Sequence, residues 1–235
     1  MLMKRMLLLA VLAGIAAGTA GCKRQDAPKL DRQAVRLYVG DQVRITADRS
    51  VAWSVADDFY AAVDGEGTVT ARHVGTTTVT AAADSGSAAC TVEVQPRYDT
   101  FEEPPIQLLW QPMEAIESLE SGKIIKTEQP NDKLKVVWVE EDNLQLKSRA
   151  YYCFRYGEDF LVQIICLEAY KKDMEDIIDF YEERYETIHE YPDPLCYRHP
   201  GNTLFPHTYT VIFTEFGEEP QDTFAIFYEG YISDK

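Results

Sequence analysis

Between residues 35 and 96 the apolar side chains fall on every second position, the period of a half-buried strand. Leu37 and Val39 alternate with Arg36 and Tyr38, and Gly40-Asp41 supplies a turn. Val43, Ile45 and Ala47 repeat the pattern, and Trp53 in Ala-Trp-Ser-Val offers one large indole as the plug of a small core. Val63 leads into Asp64-Gly65-Glu66-Gly67, where the glycines permit a tight reversal, and Val69 and Ala71 resume the alternation. After Gly75, residues Thr77, Val79 and Ala81 share one face; residues 84–87 turn the chain, and Cys90, Val92 and Val94 close the set. About seven short strands at regular spacing predict a β-sandwich.

Beyond residue 106 the period changes. Met113, Ile116 and Leu119 follow Pro112 at helical spacing and stop at Gly122. Residues 134–139 read as a strand, and 150–156 with 160–167 as an apolar hairpin about Gly157-Glu158-Asp159. A longer helix is predicted over 171–190, with Met174, Ile177, Ile178, Tyr181, Tyr185 and Ile188 as its buried stripe, Asp173 as its N-cap and Pro192 as its stop. Residues 207–214 and 223–228 read as a second hairpin. The recurring order predicts two α-β-β units in an α+β domain, an antiparallel sheet with both helices on one face. The expected fold is therefore multidomain, a sandwich at 35–96 and an α+β domain at 107–235, joined by a stiff Pro-containing linker at 97–106.

The first 21 residues have the order of a secretory signal: Lys4 and Arg5, an apolar run at 6–17, and small residues before Cys22. The run is too short to serve comfortably as a membrane-spanning helix. Ala20-Gly21-Cys22 resembles the lipobox of bacterial lipoproteins, with Thr19 where that family usually has leucine. The resemblance implies cleavage before Cys22 and its acylation, which would anchor the protein to a membrane. Lys23 stands where inner-membrane lipoproteins often carry aspartate, so the outer membrane is implied. Residues 22–34 are polar and contain Pro28, the composition of a flexible tether.

The sandwich also resembles a named family. Val39-Gly40-Asp41, Trp53-Ser54, Ala62-Val63-Asp64, Gly67-Thr68-Val69-Thr70-Ala71, Gly75-Thr76-Thr77-Thr78-Val79-Thr80-Ala81 and Val92-Glu93-Val94 occur in the order of the group 2 bacterial Ig-like domain. Such modules are usually extracellular spacers or adhesion units, and the fold itself implies no chemistry. The second domain resembles β-lactamase-inhibitor-like and related envelope protein-binding domains only in architecture.

Charge narrows the possible partners. The chain has a formal net charge of −16. From Tyr98 onward there are 29 acidic and 12 basic side chains, a balance of −17, whereas residues 23–97 are nearly neutral. Such a surface repels phosphate backbones, so nucleic acid is not an expected partner. No Gly-x-Ser-x-Gly elbow, His-Glu-x-x-His motif or phosphate-cradling glycine loop is present, so an enzyme, a cofactor and a catalytic residue are not expected. Glu175, Asp179, Glu182, Glu183 and Glu186 oppose the apolar stripe of the long helix and read as a solvated face. His189, Asp193, Cys196, His199 and His207 crowd one segment but match no structural zinc spacing, so no metal site is expected.

With Cys22 acylated, Cys90, Cys153, Cys166 and Cys196 remain in an oxidising compartment. The hairpin turn sets Cys153 opposite about residue 162 and leaves Cys166 roughly 13 Å away, too far to bridge. Cys196 is left with a bond to either of them, or none. Aromatics are dense beyond residue 150, most of them core. Tyr151, Tyr197, Phe205 and Tyr231 are candidates for an exposed binding platform. The expected function is that of a non-catalytic envelope lipoprotein whose Ig-like spacer presents a protein-binding domain. The alternative is a surface glycan binder using exposed aromatics. A broad apolar patch on an open sheet face would favour protein, and isolated aromatics beside carboxylates would favour sugar.

Overall fold

The computed structural model describes residues 26–188, 195–199, 207–213 and 222–231. Its first part is a two-sheet sandwich built from β1 (Ala34–Tyr38), β2 (Gln42–Arg44), β3 (Ala52–Val55), β4 (Ala61–Val63), β5 (Thr68–Ala71), β6 (Gly75–Ala83) and β7 (Gly86–Gln95). One sheet runs β1-β7-β6-β3 and the other β2-β5-β4. The alternation read from the sequence holds: Thr77, Val79 and Ala81 of β6 and Cys90, Val92 and Val94 of β7 face inward. Ile45, Val69, Val79, Cys90 and Val92 form the fully buried centre. Trp53 is not that centre; it is half-buried and packs against the core from its margin.

Two local findings adjust the expected boundaries. Pro28 is buried, Leu30 packs on the core, the Asp31 amide donates to the Thr46 carbonyl and the Thr46 amide to the Asp31 carboxylate. Residues 28–33, expected to be part of a tether, therefore belong to the sandwich. At the β4–β5 turn, the Asp64 carboxylate accepts from the amides of Glu66 (2.9 Å) and Thr68 (2.8 Å). Gly67 there has φ +84°, and a Cβ on it would lie 2.4 Å from the Ile45 carbonyl and 2.8 Å from the Trp53 ring. Only glycine fits that position.

The second part is built on one eight-stranded antiparallel sheet. Its elements are α1 (Glu114–Leu119), β8 (Ile124–Asn131), β9 (Leu134–Val139), β10 (Leu146–Tyr156), β11 (Asp159–Tyr170), α2 (Met174–Arg184), β12 (Glu186–Ile188), β13 (Leu195–His199), β14 (His207–Phe213) and β15 (Thr223–Tyr231). The strand order is β8-β9-β10-β11-β15-β14-β13-β12, so each helix is followed by four strands, not two. The last strands of the two units, β11 and β15, pair at the centre. Strands β8, β12 and β13 were not expected: β8 is polar and exposed along nearly its whole length, and β12 is three residues long.

Helix α2 also differs from expectation. It ends at Arg184, where Tyr185 turns extended and the chain enters β12, so Ile188 lies in a strand. Its buried residues are Ile177, Phe180, Tyr181 and Glu183. Asp173 stands at the N-cap but makes no side-chain capping bond, because its backbone (ψ 7°) is not in the extended conformation that aims a cap side chain at the helix. In α1, Ile116 is buried while Leu119 is mostly exposed, and Gly122 (φ +80°) follows as a left-handed stop.

The linker is docked. Phe101 is buried with its ring edge-on to Phe180 (5.1 Å). The amides of Arg97 and Tyr98 donate to the Glu183 carboxylate at 2.8 and 3.0 Å, and the Val74 amide donates to the Glu183 carbonyl at 2.7 Å. Arg97 reaches back to the sandwich, donating to the Asp41 carboxylate (2.8 Å) with its guanidinium over the Tyr38 ring. Glu183, expected on a solvated face, is therefore buried at the domain junction.

Candidate functional site

Register and burial divide the eight-stranded sheet into two unlike faces. On one, Val137, Val139, Tyr151, Cys153, Val162, Ile165, Leu167, Ala169, Phe224, Ile226 and Tyr228 pack with Leu108, Leu109, Ile116, Ile177, Phe180 and Tyr181 into a single core. Each fully buried side chain of this size contributes about 2 kcal/mol, so this face sets the position of both helices. The other face is crossed by two continuous rows. The first reads Glu128, Val136, Tyr152, Ile164, Glu229, Tyr209, Arg198, Glu186 from β8 to β12. The second reads Lys126, Trp138, Ala150, Cys166, Phe227, Val211, Cys196, Ile188. A shorter row adds Leu134, Phe154 and Leu161.

Trp138, Tyr152, Phe154, Leu161, Ile164, Cys166 and Phe227 are partly buried and belong to neither described core. Register makes them neighbours along and across strands, so they make one apolar field and not scattered single residues. Its edges are charged: Lys126 sits 2.9 Å from Glu128 and over the Trp138 ring, and the Trp138 indole N–H donates to Glu128 (3.2 Å). Lys147 bonds Glu168 (2.7 Å), and Arg198 bonds Glu186 (3.2 Å). The helix-covered face keeps its own cations, with Lys135 and Arg155 over the Phe160 ring.

The sequence-chosen platform residues do not lie in this field. Tyr151 is fully buried on the covered face and its hydroxyl donates to Glu120 (2.6 Å). Tyr197 is also fully buried, stacked on Tyr181 at 5.3 Å. Neither can offer a ring to a surface ligand, because alternation turned both toward the helices. Phe205 and the side chain of Tyr231 lie outside the described residues. Trp138 and Phe227 carry the exposed field instead; the strands containing them were legible, but which face the helices would cover was not.

A second feature is a cleft of about 660 Å³ between the linker and the sheet end, lined by Glu102, Glu103, Glu120, Glu141 and Arg149. Arg149 lies between Glu120 (3.4 Å) and Glu141 (3.1 Å), and Tyr151 bonds the same Glu120, tying the end of α1 to β10. Glu103 receives a hydrogen bond from the Tyr185 hydroxyl, and burial pushes its carboxyl up to about 7 against the lowering effect of that bond and of Arg184. The ion pairs of Arg149 and the Tyr151 hydroxyl link these groups into a structural network, in which Glu103 Oε1, Glu141 Oε2 and Arg149 Nε are buried without a hydrogen-bond partner among the described residues.

Among the described residues, no group of His, Cys, Asp and Glu is placed to hold a metal ion. The segment considered for metal binding lies mainly outside them: His189 and Asp193 entirely, and Cys196, His199 and His207 in their side chains. Cys90, Cys153 and Cys166 are free thiols. Cys153 stands opposite Val162, as the turn predicted. Cys196 shares a row with Cys166 three strands away, a separation of about 14 Å that no disulfide spans.

Comparison with known proteins identifies the first domain. Residues 28–94 match the family model of the bacterial Ig-like domain, group 2. The match begins at the residue where the structure begins to pin the chain to the sandwich, and the Ig-like domain ends with β7. The chain as a whole is mostly β-sheet, with this domain at its start. No curated protein matches the chain. Among solved structures, human protocadherin-24 EC1-2 aligns over 88% of this chain and 93% of its own, at 10% identity and a TM-score of 0.26, a likeness that carries no argument.

Proposed function

We propose that the protein is a non-catalytic lipoprotein of the bacterial cell envelope, in which the Ig-like domain holds out an α+β, protein-binding C-terminal domain. The observation that carries this reading is the set of neighbouring apolar side chains on the sheet face that none of the described helices covers, centred on Trp138, Tyr152, Ile164, Cys166 and Phe227. Apolar area of that kind, rimmed by charge, suits a protein surface better than a sugar, which needs isolated rings flanked by hydrogen-bonding groups. The docked junction at Glu183 supports a presenting role, since it fixes where the second domain points relative to the first.

The anchor rests on the sequence around Cys22: several acyl chains, at about 0.8 kcal/mol per buried CH₂, give stable membrane attachment. Labelling with a radioactive fatty acid tests it, because Cys22→Ala should lose all label, and retained label would refute the anchor. The binding role is tested by retention of envelope proteins on the immobilised chain. A specific partner should be retained by the native protein and lost from the folded Trp138→Ser/Tyr152→Ser variant. A glycan-array signal abolished by the same variant would point to the sugar-binding alternative.

A further inference from the structure

We propose that the linker at 97–106 is a pH-gated strap. Protonated Glu103 holds it down on the end of α2, and ionised Glu103 lets it lift and loosens the Ig-like domain from the second domain. The inference stands apart from whatever the sheet binds.

The strap is fastened at three places along the end of α2. The Glu183 carboxylate accepts from the Arg97 and Tyr98 amides, Phe101 is buried against the rings of Phe180 and Tyr181, and Glu103 accepts from the Tyr185 hydroxyl. The third fastening depends on a proton. Glu103 Oε1 is buried without a hydrogen-bond partner among the described residues. An ionised carboxyl there leaves charge uncompensated where water does not reach, whereas the neutral acid loses far less. Arg184 is the cation whose charge acts on Glu103, but its guanidinium is directed to the Phe180 carbonyl (3.0 Å) and lies 3.9 Å from Glu183. The Tyr181 and Tyr228 hydroxyls, which bond each other, face the same carboxyl and bring no positive charge. Asp99 and Glu102 of the linker line the same cleft; across it Arg149 lies between Glu120 and Glu141, and Lys123 pairs with Asp142 (2.6 Å). Burial accordingly raises the Glu103 carboxyl from 4.5 to about 7. A group raised on closing favours the closed strap fully below about 4.5, and that contribution is lost as pH rises through 7. Lifting the strap takes away the Arg97 and Tyr98 bonds and leaves the bond from the Val74 amide to the Glu183 carbonyl (2.7 Å) to hold the sandwich against α2.

Hydrogen exchange of the full chain, read by mass spectrometry and corrected for the intrinsic effect of pH on exchange, tests the proposal. A carboxyl that moves from 4.5 to about 7 on closing weakens closure about tenfold between about pH 6 and pH 8. Protection of the linker amides at 97–103 should therefore fall about tenfold over that interval, while β6–β7 and β10–β11 keep theirs, the pattern of local opening. In Glu103→Gln, linker protection at pH 8 should stay within about twofold of its value at pH 6, because nothing there ionises. Tyr185→Phe keeps the buried ring and removes the bond that favours the ionised form, so its linker protection should fall more steeply than that of the native chain. Linker protection that ignores pH in the native chain overturns the proposal. So does an equal fall in Glu103→Gln, or a fall shared equally by both cores, which is global unfolding. Should Glu103→Gln lose its cores already at pH 6, Tyr185→Phe decides: a steeper fall upholds the strap and an unaltered slope overturns it.

Discussion

Single residues set limits here that composition does not suggest. Gly67 combines a positive φ with close approach of Ile45 and Trp53, so Gly67→Ala should cost more than about 1 kcal/mol, read as a lower midpoint of the Ig-like domain in urea unfolding. Its turn was legible in the sequence because two glycines follow Asp64; the contact with Trp53 was not, because it joins different strands. Glu103 makes a second case. Its carboxyl is raised from 4.5 to about 7 in the folded protein, so folding takes up a proton between those values. The sign follows: the favourable contribution is complete below about 4.5 and is lost as pH rises through 7. The shift corresponds to at most about 3 kcal/mol. Glu103→Gln should therefore flatten the dependence of stability on pH between 5 and 8 and stabilise the protein at pH 8, as urea midpoints across that range would show.

At the scale of elements, strand register explains what spacing alone left open. The β10–β11 hairpin sets Cys153 opposite Val162, and the full row from β8 to β12 separates Cys166 from Cys196 by three strands. No pairing among these three thiols is geometrically possible, so electrophoretic mobility of the monomer should not change on reduction. Burial also pushes the Cys153 and Cys166 thiols up to about 12, so both should alkylate slowly at neutral pH and readily after denaturation. Helix α2 shows the opposite relation between sequence and element. Its apolar stripe continues to Ile188, but the backbone after Arg184 pairs with β13, and Glu183 is drawn to the linker. Periodicity located the helix; its end was decided by pairing with β13 and by linker amides more than 80 residues away in sequence.

At the scale of the whole molecule, the Ig-like domain meets the rest of the chain at a junction centred on the buried Glu183 carboxylate. Removing it leaves the Arg97 and Tyr98 amides without their acceptor, a loss of about 1–3 kcal/mol at the junction. Glu183→Ala should raise hydrogen exchange at both amides and increase cleavage near residue 97 in limited proteolysis, with the cores of both domains still protected. The sequence by itself determined the alternation that builds the sandwich, the glycine turns, both long hairpins and the strongly acidic character of the second half, because each depends on neighbours close along the chain. The tertiary structure decided which sheet face the helices cover, and with it that Tyr151 and Tyr197 are core while Trp138 and Phe227 are surface. It also turned Glu183 from a solvent-facing position into the junction. The physical reason is common to both: a strand's period of two separates its side chains into two sets, and only packing against the rest of the molecule determines which set meets water.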